Sequence, residues 1–234
     1  MQEGIQQKVA AVEKAEGAGA RVKRAFPTAR LREVNPFTLL DEFFVDPSAG
    51  FPDHPHSGFE ALTYMLDGAF HHRDDMGNDR TVSAGGVQRF AAGRGIVHAE
   101  MPGGDEVSHG LQLWVDLPPE LKEMAPDYQQ VAPEAIPERE AAGIRMRVVV
   151  GEGSPVELHT SVRYLDLALE PGATFEDQIE SGWRAFVYVI EGTLTLNSVS
   201  VAAGEAATLG LGADLKVASE DGARFALIAG EPHA

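Results

Sequence analysis

Residues 50–60 read Gly-Phe-Pro-Asp-His-Pro-His-Ser-Gly-Phe-Glu, and this stretch places His54 and His56 on either side of a single proline. A second pair with the same spacing, His98 and Glu100, occurs later in His98-Ala99-Glu100. Alternate side chains of a β-strand point to the same face, so each pair would present two side chains to one side of a sheet. If the two strands lie side by side, three imidazoles and a carboxylate converge. The spacing therefore predicts a shared metal site inside a barrel.

This ligand set suits one divalent metal ion. Imidazole and carboxylate are borderline-to-hard ligands, and the chain has no cysteine that could supply a thiolate. Fe(II), Mn(II), Ni(II), Cu(II) and Zn(II) are all compatible, so the residues leave the metal's identity open. Either pair alone would more often be structural, with His-Pro-His as a surface turn and His98 as a hydrogen-bonded core residue. Their shared parity favours the metal site.

The carboxylate ligand has a second candidate in Glu60, which falls on the same strand parity as His56. Parity alone does not choose between Glu60 and Glu100. Between the first two histidines, Pro55 has no amide hydrogen to donate, which predicts a sheet edge, a bulge or a barrel rim at that point.

The other histidines of the central region are less informative. His71 and His72 are adjacent and lie beside a polar hairpin end, so we expect both to be solvated. His109 precedes an alternating strand and would either line the pocket or bond a backbone carbonyl. His159 has no partner at ligand spacing.

The two tryptophans, Trp114 and Trp183, stand at strand positions and are expected in the core rather than as platforms for a substrate. The sequence contains no Ser-His-Asp arrangement, no phosphate-binding loop and no dinucleotide fingerprint. Hydrolase and nucleotide-binding functions therefore lack support.

Short apolar segments bounded by Gly, Pro or Asp recur along the chain, as is typical of strands. Clear examples are 61–66, 111–115, 146–150 and 186–190. Because the 25 glycines fall largely at such boundaries, the pattern predicts an all-β fold of jelly-roll barrels. Two segments interrupt this pattern: prolines at both ends predict a short helix over 118–126, and the Pro- and Glu-rich stretch 133–140 predicts a linker.

Two matching turns indicate an internal repeat. Leu66-Asp67-Gly68 and Ile190-Glu191-Gly192 each follow a tyrosine at the same distance, Tyr64 and Tyr188. We therefore predict two tandem barrels, a metal-binding one over 1–131 and a second over 132–234, with the short helix connecting them. The second barrel lacks ligands, because overlaying the copies places other residues opposite His54, His56, His98 and Glu100, namely Gln178, Glu180, Val217 and Ser219.

Composition limits the partners and the compartment. The 36 acidic and 19 basic side chains give a net charge of −17, which repels a phosphate backbone and argues against direct binding to nucleic acid. Without cysteine, and without a signal-peptide apolar segment in 1–20, the chain is expected in the cytoplasm. No apolar run reaches the roughly 18 residues that span a bilayer. Residues 1–17 predict a short helix or a loose arm, and we expect a monomer.

Several longer stretches resemble the pirin family of cupin proteins: 51–56, 72–78, 92–100 and 109–114, followed by 164–166, 171–173 and 229–232. Pirins are bicupins, so the resemblance implies the two-barrel fold that the repeat predicts. It also implies that His54, His56, His98 and Glu100 are the metal ligands and that Fe(II) is the metal. In cupins at large the acidic ligand comes from the first motif and would be Glu60. We follow the closer match and expect Glu60 to orient an imidazole from the outer shell.

Pirins include members that resemble quercetin 2,3-dioxygenases, which use O₂ to open the heterocycle of a flavonol. The resemblance implies an Fe(II)-dependent dioxygenase acting on a flavonol or similar enol, with Glu100 as both ligand and proton acceptor. The residues that bind the substrate stay undefined. The alternative is a non-enzymatic metal-binding regulator, because some pirins bind transcription factors or metabolic enzymes. A third possibility, a metal-free cupin isomerase, predicts protein without stoichiometric metal.

Overall fold

The structure is a computed structural model that describes residues 4–233, and its regular structure within them is β-strand apart from two short turns. The all-β prediction is confirmed. The prediction of a connecting helix was wrong, because the only helical element in 118–126 is a 3-10 turn at Pro119–Leu121. A second such turn covers Pro133–Ala135. Pro126 biases the residue before it away from the α region, so little more than one turn fits. Among these residues no helix is long and apolar enough to cross a bilayer.

The strands of the first half are β1 (Ile5–Ala10), β2 (Val12–Glu16), β3 (Ala20–Phe26), β4 (Phe37–Val45), β5 (Phe51–His56), β6 (Phe59–Asp67), β7 (Ala69–Asp74), β8 (Asp79–Ser83), β9 (Val87–Ala91), β10 (Ile96–Pro102), β11 (Ser108–Asp116) and β12 (Asp127–Val131). Apart from β1, these strands build a seven-stranded sheet in the order β12-β9-β6-β11-β4-β3-β2 and a four-stranded sheet in the order β5-β10-β7-β8. These two sheets pack on each other to form the first barrel, with apolar side chains of both in one cluster.

The strands of the second half are β13 (Glu138–Ala141), β14 (Ile144–Val150), β15 (Val162–Leu169), β16 (Thr174–Gln178), β17 (Arg184–Leu196), β18 (Val199–Ala202), β19 (Glu205–Leu209), β20 (Asp214–Ala218) and β21 (Ala223–Gly230). Their main path is β1-β19-β17-β21-β15-β14-β13, and β16, β18 and β20 form the smaller face of the second barrel. Residues 138–140, predicted as linker, belong to β13.

The first strand of the chain belongs to the second barrel. β1 pairs with β19, with Val9 opposite Ala206, and Val9 is buried. The prediction of a helix or loose arm over residues 1–17 was therefore wrong for residues 4–17, because β1 and β2 each extend a sheet edge; residues 1–3 lie outside the described part of the chain. β1 thus belongs to the second barrel although it precedes the predicted domain boundary at residue 131.

The large sheets of the two barrels face each other across a shared core. On β11, Leu111, Leu113 and Val115 point into this core, whereas the alternate residues Gln112 and Trp114 point into the first barrel. Because successive side chains of β11 point to opposite faces, this one strand contributes to both the shared core and the interior of the first barrel. Central strands of the two large sheets, such as β6 and β17, are buried on both faces for this reason.

The register of the sheets confirms the internal repeat. Glu42 of β4 and Tyr64 of β6 lie opposite the same residue of β11. Asp166 of β15 and Tyr188 of β17 lie opposite the same residue of β21. The two barrels therefore share a strand arrangement as well as matching turns, and their large faces meet with equivalent residues in equivalent places.

Candidate metal centre

The three histidines predicted as ligands lie together at the end of the first barrel. β5 and β10 are antiparallel neighbours, with His54 opposite His98. One ring nitrogen of each of His54, His56 and His98 lies within 4.8 Å of the other two. Pro55 lies on β5, the edge strand of its four-stranded sheet, as its missing amide hydrogen predicted. The distant sequence pairs thus meet at a point where three nitrogen lone pairs converge.

Hydrogen bonds outside the cluster leave nitrogen lone pairs free to bind a cation. The Nδ1 of His54 lies 2.7 Å from the carbonyl oxygen of Pro52, and because a carbonyl only accepts, Nδ1 donates; in the neutral ring Nε2 then carries the lone pair. The Nε2 of His98 is buried and has no hydrogen-bond partner among the described residues. A buried polar atom without a partner calls for an explanation, and a bound metal ion supplies one here.

The electrostatics of the cluster favour neutral imidazoles. Burial, together with the neighbouring imidazoles of His98 and His54, lowers the pKa of His56 to about 4. Burial and the imidazoles of His54 and His72 lower the pKa of His98 to about 3. Both side chains are therefore uncharged at neutral pH, which is the protonation state that a metal ligand requires.

Glu100 is buried and held by three neutral donors. Its Oε1 accepts hydrogen bonds from Nε2 of Gln88 at 2.6 Å and from Oγ1 of Thr63 at 3.3 Å. Its Oε2 accepts from Nε2 of Gln112 at 2.9 Å. The Nε1 of Trp114 donates to Oε1 of Gln112 at 3.3 Å, which fixes the orientation of that amide. Four side chains thus set the position of one carboxylate.

A carboxylate oxygen of Glu100 groups with ring nitrogens of His98 and His72, again within 4.8 Å of one another. The sequence missed His72, and the prediction that it is solvated was wrong, because it is fully buried. Strand alternation supplies the reason: His72 faces into the barrel opposite Glu100, and His71 faces outward to Asp79 at 2.7 Å. Of two adjacent strand histidines, one had to point inward.

Glu60 lies away from the cluster, and its predicted role of orienting a ligand imidazole was wrong. Its oxygens accept hydrogen bonds from the backbone N–H of His159 at 2.8 Å and from Nδ1 of the same residue at 2.9 Å. β5 and β6 belong to different sheets and are separated by Ser57 and by Gly58, which has a positive φ of 80°. Parity counted from His56 therefore does not carry across that turn.

Two positions were predicted for His109, lining the pocket or bonding a backbone carbonyl, and both predictions were wrong. Its Nε2 lies 2.9 Å from the Oε1 of Glu42, and its Nδ1 lies 3.1 Å from the Oδ2 of Asp67. The ring also stacks on Phe44, with 4.3 Å between centroids. His109 therefore belongs to a polar cluster at the barrel interface rather than to the metal centre.

A cavity of about 610 Å³ opens on the cluster. Its wall is largely apolar and aromatic, its mouth is charged, and the lining side chains include Val22, Leu39, Phe43, Phe51, Trp114, Gln112, His54, His56, Glu100, Arg24, Asp41 and Glu16. This size and character are typical of small-molecule sites. Trp114 packs against a small buried apolar cluster, as expected, and it also lines this cavity. The alternation of β11 is the one signal that could have found Gln112 and Trp114.

The lining of the cavity includes a largely buried ion pair. Arg24 binds Asp41 through two hydrogen bonds, Nε to Oδ1 at 2.9 Å and Nη2 to Oδ2 at 2.7 Å. Glu16 lies 3.1 Å from the same guanidinium. These residues come from β2, β3 and β4, so no local sequence motif could have brought them together.

Comparison with known proteins identifies the family. Residues 19–115 match the family model of Pirin, and residues 164–234 match that of the Pirin C-terminal cupin domain. The chain belongs to the pirin family. A pirin-like protein of Solanum lycopersicum is 42% identical over 237 residues, which cover 97% of this chain and 81% of that protein. The bicupin fold inferred from the repeat is thus the fold of the pirin family.

Solved structures share this pirin fold. A quercetin 2,3-dioxygenase from Acinetobacter baumannii superposes with a TM-score of 0.90 at 26% identity, covering 98% of this chain and 88% of that one. The bacterial pirin YhhW from Escherichia coli, solved in complex with nickel(II), gives a TM-score of 0.79 at 23% identity, with 96% of each chain covered.

Proposed function

We propose that this chain is a metal-dependent dioxygenase of the quercetin 2,3-dioxygenase type, which opens the ring of a flavonol or similar enol with O₂. The observation that carries the proposal is the convergence of three imidazole nitrogens beside a cavity with an aromatic wall. The likeness to a solved quercetin 2,3-dioxygenase at 26% identity supports it.

The metal would be held by His54, His56 and His98, with Glu100 as the carboxylate ligand beside His98. We propose Fe(II), with Mn, Ni, Cu or Zn as alternatives that the same donors accept. A nickel(II) complex of a structural neighbour supports this choice of ligand chemistry. When bound, such a metal supplies an open coordination position for O₂ and for an ionised enol oxygen.

Glu100 is the proposed acceptor for the proton of the substrate's enol hydroxyl. Its carboxylate borders the cavity, and each oxygen accepts bonds from neutral donors, Gln88 and Thr63 on one side and Gln112 on the other. Because a carboxylate oxygen has two lone pairs, Oε1 is fully engaged by its two donors, whereas Oε2, which accepts only from Gln112, can accept a further proton or hydrogen bond. The amides hold the carboxylate in place while it exchanges that proton.

The cavity wall would bind the flat rings of the substrate. Phe43, Phe51 and Trp114 present aromatic surface, and Trp114 is itself held by stacking on Phe59 with 4.2 Å between ring centroids. A rigid apolar wall excludes water and orients a planar ligand toward the base of the cavity.

Oxygen consumption of metal-loaded protein tests this proposal. The purified chain, stripped of metal and reloaded separately with Fe(II), Mn(II), Ni(II), Cu(II) and Zn(II), is mixed with quercetin and a panel of enols, and O₂ uptake and carbon monoxide release are recorded. We expect turnover with at least one redox-active metal and its loss in His54→Ala, whereas His71→Ala remains active. Absence of uptake with every metal would overturn the dioxygenase proposal.

The alternative is a metal-dependent regulator that binds another protein. One observation favours it: Val97 and Met101 are exposed apolar residues on the outer face of β10, whose inner face carries His98 and Glu100. A partner docked there would contact the strand that holds the metal ligands. Partner capture that depends on metal, and that is lost in Val97→Asp, would favour this alternative if no oxygen is consumed.

We further propose that the protein acts in the cytoplasm as a monomer, with a small molecule and O₂ as its partners. Light scattering of the purified protein tests the monomer, and fractionation of the producing cell tests the compartment.

A further inference from the structure

The metal-facing histidine His98 has a second contact on its other side. Its Nδ1 lies 3.4 Å from Nδ1 of His72, and Nε2 of His72 lies 3.0 Å from Oδ2 of Asp74. His98 and His72 are both buried, and Tyr128 stacks on the His72 ring with 4.6 Å between centroids. A line of polar groups thus runs from the metal centre to Asp74.

The direction of the hydrogen bonds along this line follows from its far end. Oδ1 of Asp74 accepts from the backbone N–H groups of Met76 and Asn78, both at 3.0 Å, and Oδ2 accepts from Nδ2 of Asn78 at 2.8 Å. Asp74 is surrounded by donors and acts as an acceptor, so Nε2 of His72 donates to it. A neutral His72 then offers a lone pair at Nδ1, and Nδ1 of His98 donates to that lone pair. The remaining nitrogen of His98, Nε2, keeps its lone pair for the cluster.

We propose that His72 and Asp74 are positioning residues that hold His98 in the tautomer and orientation needed to bind the metal. This inference rests on the metal site of the proposed function. Outer partners of metal-bound histidines fix the ring and raise its basicity. Within residues 4–233, the hydrogen-bond partner of His54 for this purpose is the carbonyl of Pro52, whereas His98 is backed by an imidazole that a carboxylate polarises.

The chain offers a matched control on the same strand pair. His71 and Asp79 form a second histidine–aspartate contact, with 2.7 Å between Nε2 and Oδ1, but they lie on the outer, solvent-exposed face. Removing either residue of this pair changes the same chemical groups without touching His98.

The experiment compares His72→Phe and Asp74→Asn with His71→Phe and Asp79→Asn. Phenylalanine keeps a flat ring against Tyr128 but removes the acceptor for His98. Circular dichroism and thermal melting of the metal-free variants confirm that each is folded. Affinity for Zn(II) and Fe(II) is then measured by competition with a chelator, along with the electron paramagnetic resonance spectrum of the Cu(II)-loaded protein, the Fe(III)/Fe(II) potential and the number of ions bound per chain.

We expect wild type to bind one ion per chain. His72→Phe and Asp74→Asn should bind about 10- to 100-fold more weakly, with an altered spectrum and a higher Fe(III)/Fe(II) potential, because a weaker donor stabilises Fe(III) less. The two controls should match wild type in all four measurements.

Three results would overturn the inference. If His72→Phe and Asp74→Asn bind metal as tightly as their controls, the positioning role is wrong, while the proposed metal site still stands. Two ions per chain, the second lost in His72→Phe, would mean that Nδ1 of His98 is a ligand and not a donor. A wild-type chain that binds no metal would overturn the proposed function and remove the basis of this inference with it.

Discussion

Tyr64 and Tyr188 hold equivalent positions in the two barrels, and each donates its hydroxyl hydrogen bond to a buried carboxylate of the opposite barrel. Tyr64 donates to Asp166 at 2.8 Å, and Tyr188 donates to Glu42 at 2.9 Å. Burial and the neighbouring carboxylates raise the pKa of both tyrosines well above the ordinary value, so both stay protonated donors. Two equivalent hydrogen bonds from tyrosine to carboxylate thus connect the two barrels within an apolar interface.

Replacing either tyrosine by phenylalanine should weaken the contact between the barrels. We expect Tyr64→Phe and Tyr188→Phe each to lower the free energy of unfolding by about 1–3 kcal/mol, because a buried carboxylate loses one donor. Urea unfolding followed by circular dichroism measures this change.

Tyr164 provides the matched control for this prediction. Its ring packs edge-on against Tyr64, with 5.9 Å between centroids, but its buried hydroxyl has no hydrogen-bond partner among the described residues. Tyr164→Phe should therefore leave stability unchanged or raise it. A loss as large as that of Tyr64→Phe would show that removal of a buried hydroxyl, and not the loss of its hydrogen bond to a carboxylate, accounts for the destabilisation.

The stability of the chain should depend on pH through Glu42. Burial alone would raise the pKa of this carboxyl, but hydrogen bonds from His109 and Tyr188 and the charge of Lys23 bring it below its ordinary value of 4.5. Since the folded pKa is lower than the unfolded one, ionised Glu42 stabilises the fold above about pH 4.5. That contribution is lost as pH falls through the folded pKa.

We therefore expect Glu42→Gln to cost about 3 kcal/mol at pH 7, with a difference from wild type that shrinks as pH falls below 4.5 and through the folded pKa. Urea unfolding at a series of pH values measures it. Glu13→Gln, at an exposed position of β2, should show no such dependence. A difference between wild type and Glu42→Gln that is constant with pH would contradict the assigned role.

Gln112 should control the ability of Glu100 to accept the proton of the substrate hydroxyl. Its amide donates to the carboxylate and is oriented by Trp114, so Gln112→Leu frees one oxygen of Glu100 and loosens its position. We expect turnover of the best enol substrate to fall about 10- to 100-fold. Steady-state O₂ uptake at saturating substrate measures this fall.

Gln130 serves as the comparison for Gln112, because it bonds the carbonyl of Thr81 on the surface. Gln130→Leu should retain wild-type turnover. If both leucine variants lose turnover equally, the effect of Gln112→Leu is not specific to Glu100.

A bulky side chain at Ala18 should obstruct the cavity without disturbing a core. Ala18 is exposed, lies in the turn between β2 and β3, and lines the cavity mouth. Its backbone pairs with Gly50, and this pairing does not depend on the side chain. We expect Ala18→Trp to raise KM for a flavonol several-fold while metal content stays the same, as measured by O₂ uptake and elemental analysis.

Ala15 is exposed on β2 of the same hairpin and lies outside the cavity lining. Ala15→Trp should therefore leave KM unchanged. An unaltered KM in Ala18→Trp would place substrate binding elsewhere.

Strand alternation and matching turns were enough to predict much of this molecule. They gave the all-β class, the repeat marked by Tyr64 and Tyr188, and the pairing of His54 and His56 with His98. These features depend on residues close in sequence, or on a periodicity of two that any strand imposes. The convergence of these histidines was predictable because a metal site needs particular side chains at particular spacing.

Other errors arose where two sheets or two distant strands meet. Glu60 was assigned by parity across a turn that separates different sheets, and β1 pairs with a strand almost 200 residues away. The cavity wall joins side chains of β2, β3, β4, β5 and β11, and no local pattern describes such a surface.

The sequence by itself determined which residues can bind a metal and that they lie on strands, because ligand chemistry and strand periodicity are local properties. The tertiary structure decided what surrounds them: the burial of His72 behind His98, the donors around Glu100 and the partner of Glu60. These contacts depend on which strands become neighbours, and that choice is set by burying apolar surface across the whole chain.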